Sequence, residues 1–226
     1  MRHCREDLGQ SRAALRGGRC GFTTVHVLLL VWGSFLFVGL LVMFQYSSTP
    51  GAESQITTDW PVESEIEFGA SPRLMLFAHP RCPCTRASIN ELSRIMTRCN
   101  GRVDTVVVFA KPLEFADDGD WEKTDLWKSA EAIPGVSVYC DHGGVETARF
   151  GATTSGHTLL YSANRRLLFE GGITSSRGHC GDNAGESAII DRLRGIDPSL
   201  EATPVYGCAL STPNEENTAT KPTNRS

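Results

Sequence analysis

Residues 25–44 contain no Asp, Glu, Lys or Arg and are rich in Leu, Val and Phe. As a helix this run is about 30 Å long, the thickness of a bilayer's hydrocarbon core. A cleavable signal peptide has a shorter apolar core, roughly 7–15 residues, followed by a small-residue cleavage site. The run therefore reads as an uncleaved anchor, a single transmembrane helix over residues 25–45. Arg2, Arg5, Arg12, Arg16 and Arg19 precede it, and the next basic residue is Arg73. Positive residues stay inside, which predicts a cytoplasmic N-terminus (1–24), a single pass through the inner membrane of a bacterial cell, and a periplasmic remainder.

That partition governs the rest of the reading. The exported part carries 17 Lys and Arg against 24 Asp and Glu, a formal charge of −7, which argues against nucleic acid as a partner. Cys4 and Cys20 fall on the cytoplasmic side. Cys82, Cys84, Cys99, Cys140, Cys180 and Cys208 are exported, where disulfides persist. Six thiols allow 15 full pairings, and sequence alone does not choose among them. Residues 46–66 are acidic and punctuated by Pro50, Gly51 and Pro61, and read as a linker. Residues 211–226 read as a disordered polar tail. Between them, residues 67–210 have the size of one domain.

Within that domain, residues 73–78 read as a short buried strand. Leu92, Ile95, Met96 and Cys99 recur at helical spacing shortly afterwards. His79-Pro80-Arg81-Cys82-Pro83-Cys84 sits at the junction. A thiol at a helix N-terminus faces unpaired N–H groups and the positive end of the helix dipole, both of which favour thiolate. Two such thiols can trade a disulfide or share a soft metal ion; structural or incidental cysteines are the competing reading. Further strands are expected at 103–109, 136–140, 158–162 and 166–170. Helices are expected near 124–133, before Gly151, and from Asp182 or Asn183 to Gly195. Alternating strands and helices closed by a hairpin predict an α/β domain with a mixed sheet.

At this point the chain resembles the thioredoxin superfamily, in particular its membrane-anchored TlpA and peroxiredoxin-like branch. The resemblance rests on the cysteine junction and on Gly135-Val136-Ser137-Val138-Tyr139-Cys140-Asp141, Ala148-Arg149-Phe150-Gly151 and Thr158-Leu159-Leu160-Tyr161. More narrowly, His79 to Cys84 with Ser155-Gly156-His157-Thr158 and Gly171-Gly172-Ile173-Thr174 is similar to RedB-type bacterial proteins. It implies a thioredoxin-like mixed sheet flanked by helices over residues 65–195. Three departures stand out. The pair is C-x-C, with Arg81 at the family's first cysteine and Cys84 at its second. His157 stands at the family's cis-proline, and Met75 at its buried carboxylate.

Fold topology places other groups near Cys82 and Cys84. Ligands of open α/β sheets gather at strand ends, which brings His157 and the loop holding Arg177, His179 and Cys180 into range. His157 could bind metal or shuttle protons; a backbone-bonded histidine is the equal alternative. Arg177 could lower a thiol pKa, or be an ordinary loop arginine. His179 and Cys180 could supply a ligand or a resolving thiol, or be incidental. Cys99 and Cys140 read as core. Cys208, beyond the last helix, could pair with another exported thiol, its partner unassigned.

The first functional expectation is a thiol–disulfide oxidoreductase using Cys82 and Cys84, with Cys82 the nucleophile because it precedes the helix and should be the more exposed. A C-x-C ring should be strained and therefore oxidising. Its partners would be exported proteins bearing thiols or disulfides, or an electron-transfer protein of the inner membrane, with no cofactor required. The alternative is a Cu(I)-binding or delivery module held by Cys82, Cys84 and His157. A peroxidase is weaker, because the usual Pro-x-x-x-Thr-x-x-Cys frame is missing. No Gly-rich phosphate loop follows a strand.

Overall fold

A computed structural model describes residues 18–210, apart from residues 100, 198 and 199. The basic segment before residue 18 and the polar tail 211–226 lie outside the described residues. The chain divides into two compact units that meet between Tyr46 and Ser47.

The first unit is helix α1 (Gly18–Ser48). Its stretch Thr23–Ser48 spans 26 residues with a mean hydropathy of 2.6, and is long and apolar enough to cross a membrane. Ser34, one of its few polar residues, hydrogen-bonds the carbonyl of Leu30 at 2.8 Å, the usual way a hydroxyl is accommodated in an apolar helix.

The second unit is built on a five-stranded sheet, ordered β3-β2-β1-β4-β5. Its central strands are β1 (Arg73–Ala78) and β2 (Asp104–Lys111), with β3 (Val136–His142) beyond β2; these three run parallel. Antiparallel to β1 lies β4 (His157–Tyr161), which turns back into β5 (Leu167–Gly172). Arg165, at φ 63°, supplies the left-handed residue of that turn. Helices α2 (Thr85–Cys99), α3 (Asp125–Glu131), α4 (Val145–Phe150) and α5 (Ala184–Leu193) complete the unit. This is the mixed α/β sheet that the sequence predicts.

Strand alternation sorts side chains onto two faces. Leu74, Leu76 and Ala78 join Ile89, Leu92 and Ile95 of α2 and Ile189 of α5 in one core. Met75 and Phe77, with Leu159 and Tyr161 of β4, face the other way. A single α-helical turn and a half, α4, cannot cover that second face alone.

Residues 46–66, expected as a free linker, help cover it. Trp60 is only 6 % exposed and makes edge-to-face contacts with Phe68 and Phe150 at 4.8 Å and with Tyr161 at 5.3 Å. Ile66 is also buried there. The backbone follows: Leu167 donates to Thr58 and Trp60 donates to Arg165. The acidic, proline-broken composition hid two large apolar side chains that the open sheet face needs, so the packed unit begins well before residue 67.

After α5 the chain is equally committed. Residues 201–210 form a strap with no helix or strand of its own, pinned through the backbone. Glu170 donates to Glu201 at 3.1 Å, Thr203 donates to Glu170 at 3.1 Å, and the Thr203 hydroxyl donates to Gly172 at 2.7 Å. Gly172 has no room for a Cβ, which would meet the Pro204 carbonyl. Beyond Pro204 the strap leaves β5 and turns toward the start of α2.

Candidate active site

The C-terminal end of β1 delivers the chain into a tight turn, His79 to Thr85. Cys82 N–H donates to the His79 carbonyl, and Thr85 N–H to the Cys82 carbonyl, both at 3.1 Å. The Thr85 hydroxyl reaches the His79 carbonyl at 3.2 Å and the Ser155 hydroxyl at 2.8 Å. Ser155 in turn accepts from His79 N–H at 2.9 Å. Ser155 therefore ties the cysteine turn to the loop before β4.

The strap closes the site from the other side. Ser155 N–H donates to the Cys208 carbonyl at 2.8 Å, and Leu210 N–H to Thr153 at 2.9 Å. A Cβ on Gly207 would collide with the Ser155 carbonyl, so glycine is required by this close approach. Arg177 donates to the Gly207 carbonyl. The result is that the sulfurs of Cys82 and Cys208 lie 2.9 Å apart.

These contacts set the electrostatics. Cys82 is 2 % exposed, and burial alone would raise its pKa. Hydrogen bonding between the Cys82 and Cys208 sulfurs and the amides of Cys208, Cys84 and Thr85 outweigh that penalty, leaving the pKa below its ordinary value. Cys84, half-buried, moves the other way: burial, then the charge and hydrogen bond of Cys82, raise its pKa, while Arg177 works against the shift. Cys208 is pushed up to about 12 by burial and by its bond to Cys82. Of the three sulfurs, Cys82 is therefore the one whose ionisation is favoured. The premise that Cys82 is the more exposed thiol is corrected: it is the buried one, because the strap covers it, and Cys84 offers the surface.

The remaining predicted residues are placed as follows. His157 pairs with Phe77 across β1 and β4, so its side chain points to the face opposite α2. There its Nδ1 lies 3.2 Å from the Ser54 hydroxyl, and it lines a cavity of about 290 Å³ with Glu53 and Glu170. Burial pushes its pKa down to about 4. The ligand set Cys82, Cys84 and His157 is therefore not assembled. Among the described residues no group of three or more His, Cys, Asp or Glu side chains is arranged to hold a metal ion. Arg177 does reach the site, through Cys84 and Gly207. Exposed Cys180 lies instead against Asn90, inside α2, at 3.6 Å, and His179 bonds the Arg177 carbonyl at 3.1 Å. Cys99, the last residue of α2, is buried in the core, and Cys140 sits half-buried near Glu122, its pKa raised to about 11 by burial.

Sequence reasoning gave no role to Ser155 or Trp121, and left the partner of Cys208 unassigned. The Trp121 ring lies under the Arg81 guanidinium at 4.8 Å and edge-on to His79 at 5.7 Å, buttressing the turn. For Cys208 the one available signal was Gly207 beside it, a small residue where backbones must meet. Met75, at the position where the resemblance places a carboxylate, is fully buried and apolar.

The sequence matches no protein-family model and no curated protein. Solved structures do match. A hypothetical protein from Sinorhizobium meliloti 1021 is 17 % identical, with a TM-score of 0.52 over 72 % of this chain and 93 % of that one. An uncharacterised conserved protein from Geobacillus kaustophilus is 14 % identical, with a TM-score of 0.53 over 74 % of this chain and 94 % of that one. A secreted Mycobacterium tuberculosis disulfide oxidoreductase homologous to E. coli DsbE gives a TM-score of 0.36 at 17 % identity, over 57 % of this chain and 84 % of that one. The fold is thioredoxin-like in its strand order and directions, three parallel strands followed by an antiparallel pair. Identities this low speak to fold alone, so function must be argued from the sulfurs.

Proposed function

We propose that this chain is a membrane-anchored, periplasm-facing thiol–disulfide oxidoreductase whose redox pair is Cys82 and Cys84. The observation that carries this reading is the Cys82 sulfur: buried, yet facing three amides and the Cys208 sulfur, which lower its pKa, next to a half-exposed second cysteine. A core cysteine has no use for such donors. The apolar helix, the five arginines before residue 20 and six cysteines after it support the exported location. The motif likeness to RedB-type proteins belongs with the same reading.

Exposure and acidity divide the labour. With Cys82 and Cys84 joined, a partner's thiolate attacks the accessible Cys84 sulfur. Cys82 departs as a thiolate, and a low-pKa thiol is the better leaving group. The partner's second thiolate then attacks its own sulfur in the mixed disulfide. A partner disulfide forms, and Cys84 is released as a thiol. Run backwards, Cys82 resolves a mixed disulfide on Cys84. Partners are exported proteins with thiols or disulfides, or an inner-membrane electron-transfer protein. Copper delivery is not supported, since its third ligand lies on the other face of the sheet.

The test is catalysis. Full-length protein in detergent micelles, given a dithiol peptide and glutathione disulfide, should speed peptide oxidation, and Cys82→Ser should not. Equal rates with and without the protein would overturn the proposal.

A further inference from the structure

We infer that Cys208 is a third member of the redox site: it forms a disulfide with Cys82 in competition with Cys84, so that Cys82 is shared between two partners. This rests on the oxidoreductase reading above and extends it to a residue that reading does not use.

The contact is built on both sides of Cys208. Upstream, Gly51 donates to Val205 at 2.8 Å, Arg177 holds the Gly207 carbonyl, and Gly207 fits only because it lacks a Cβ. Downstream, Leu210 is buried in the second core and its amide bonds Thr153. Between these anchors the Cys208 carbonyl accepts from Ser155, the residue that also braces the Cys82 turn. Both thiols are therefore positioned from one hub, Ser155, and their sulfurs meet at 2.9 Å, inside van der Waals contact. A strap that merely covered the site would not need a thiol at that point.

The chemistry balances without an added oxidant. In one form the bond joins Cys82 to Cys208, and Cys84 is a free, half-exposed thiol. The Cys84 thiolate attacks the Cys82 sulfur, the Cys82–Cys84 bond forms and the Cys82–Cys208 bond breaks. The electron pair leaves on the Cys208 sulfur, which takes a proton from solvent. This is an isomerisation with no net redox change. A protein partner exchanges its disulfide or dithiol at half-exposed Cys84, while a small disulfide such as glutathione also exchanges at half-buried Cys208, from which Cys82 displaces it as the thiol.

The experiment is peptide mapping on the full chain in detergent micelles. Wild type, Cys84→Ser and Cys208→Ser are equilibrated across glutathione buffers, quenched in acid, alkylated, digested without reduction and read by mass spectrometry. The expected result is a reversible Cys82–Cys208 linked peptide in Cys84→Ser, a reversible Cys82–Cys84 linkage in Cys208→Ser, and both linkages in wild type. The inference is overturned if Cys82 and Cys208 remain fully alkylated in Cys84→Ser at every buffer while Cys208→Ser still forms Cys82–Cys84; the oxidoreductase reading then survives. If neither linkage appears in any of the three, both readings fall.

Discussion

Cys82 and His157 are almost equally hidden, at 2 % and 3 % exposure, and each stands beside the end of β1 or its partner strand. Their ionisation goes in opposite senses. Cys82 is shifted toward its charged form, because amides and a thiol converge on its sulfur. His157 is shifted away from its charged form, because burial is uncompensated: one ring nitrogen has a serine hydroxyl, and Nε2 has no hydrogen-bond partner among the described residues. Depth alone therefore says little about whether a group is chemically poised. What matters is whether donors suited to the charge were buried with it.

The largest effect that would break this contrast is at Cys82. Cys82→Ser should cut dithiol oxidation roughly hundredfold or more, since the thiolate is the reacting species and serine does not ionise. Residual turnover within a few-fold of wild type, measured by peptide oxidation, would place the chemistry elsewhere.

At His157 the expected effect is on stability. Its folded pKa, about 4, lies below the ordinary 6.5, so between those values the unfolded chain binds a proton that the folded chain does not. Stability contributed by keeping this ring neutral costs nothing above pH 6.5 and is eroded as pH falls toward 4, by about 3 kcal/mol at the limit. Urea titrations at pH 7 and pH 4 should show a steeper loss for wild type than for His157→Gln. Parallel losses would mean the imidazole is not the group responsible.

Cys208→Ala sharpens the cysteine half of the comparison. Removing the Cys208 sulfur takes away one of the contacts that lower the Cys82 pKa, which should therefore rise. Thiolate absorbance at 240 nm against pH would report it, and an unmoved titration would show that the amides suffice. The smallest effect is expected for Arg177→Gln, which takes a positive group from Cys84 and should slow exchange only a few-fold. That loss should shrink further in high salt, where wild type and variant converge.

What the sequence discloses follows from how each element is held. The strands are legible as continuous apolar runs, such as Val106-Val107-Val108, and α2 as a periodic stripe over a cysteine turn. The strap is not, because residues 201–210 carry no periodicity and are fixed by backbone bonds that, Gly207 apart, leave little mark on side-chain identity. Residues 46–66 mislead through composition, since two apolar side chains among acids and prolines decide their packing. His157 misleads through register. The strand starts at His157 rather than Thr158, and that ring goes to the face away from the cysteines, while Thr158 opposite Leu76 takes the near one. Cys208 is 126 positions from its neighbour sulfur, and no local pattern encodes that distance.

That separation has a thermodynamic reach beyond the site. A bond between Cys82 and Cys208 would close a covalent ring that encloses β2 to β5 and every helix after β1. On chain-entropy grounds such a ring restricts the unfolded chain by an amount equivalent to roughly 4–5 kcal/mol. The two equilibria are linked, so whatever the ring adds to folding, folding adds to the ring. The reduction potential of this pair and the resistance of the whole domain to unfolding are then a single quantity, and the docking of ten residues after α5 sets both.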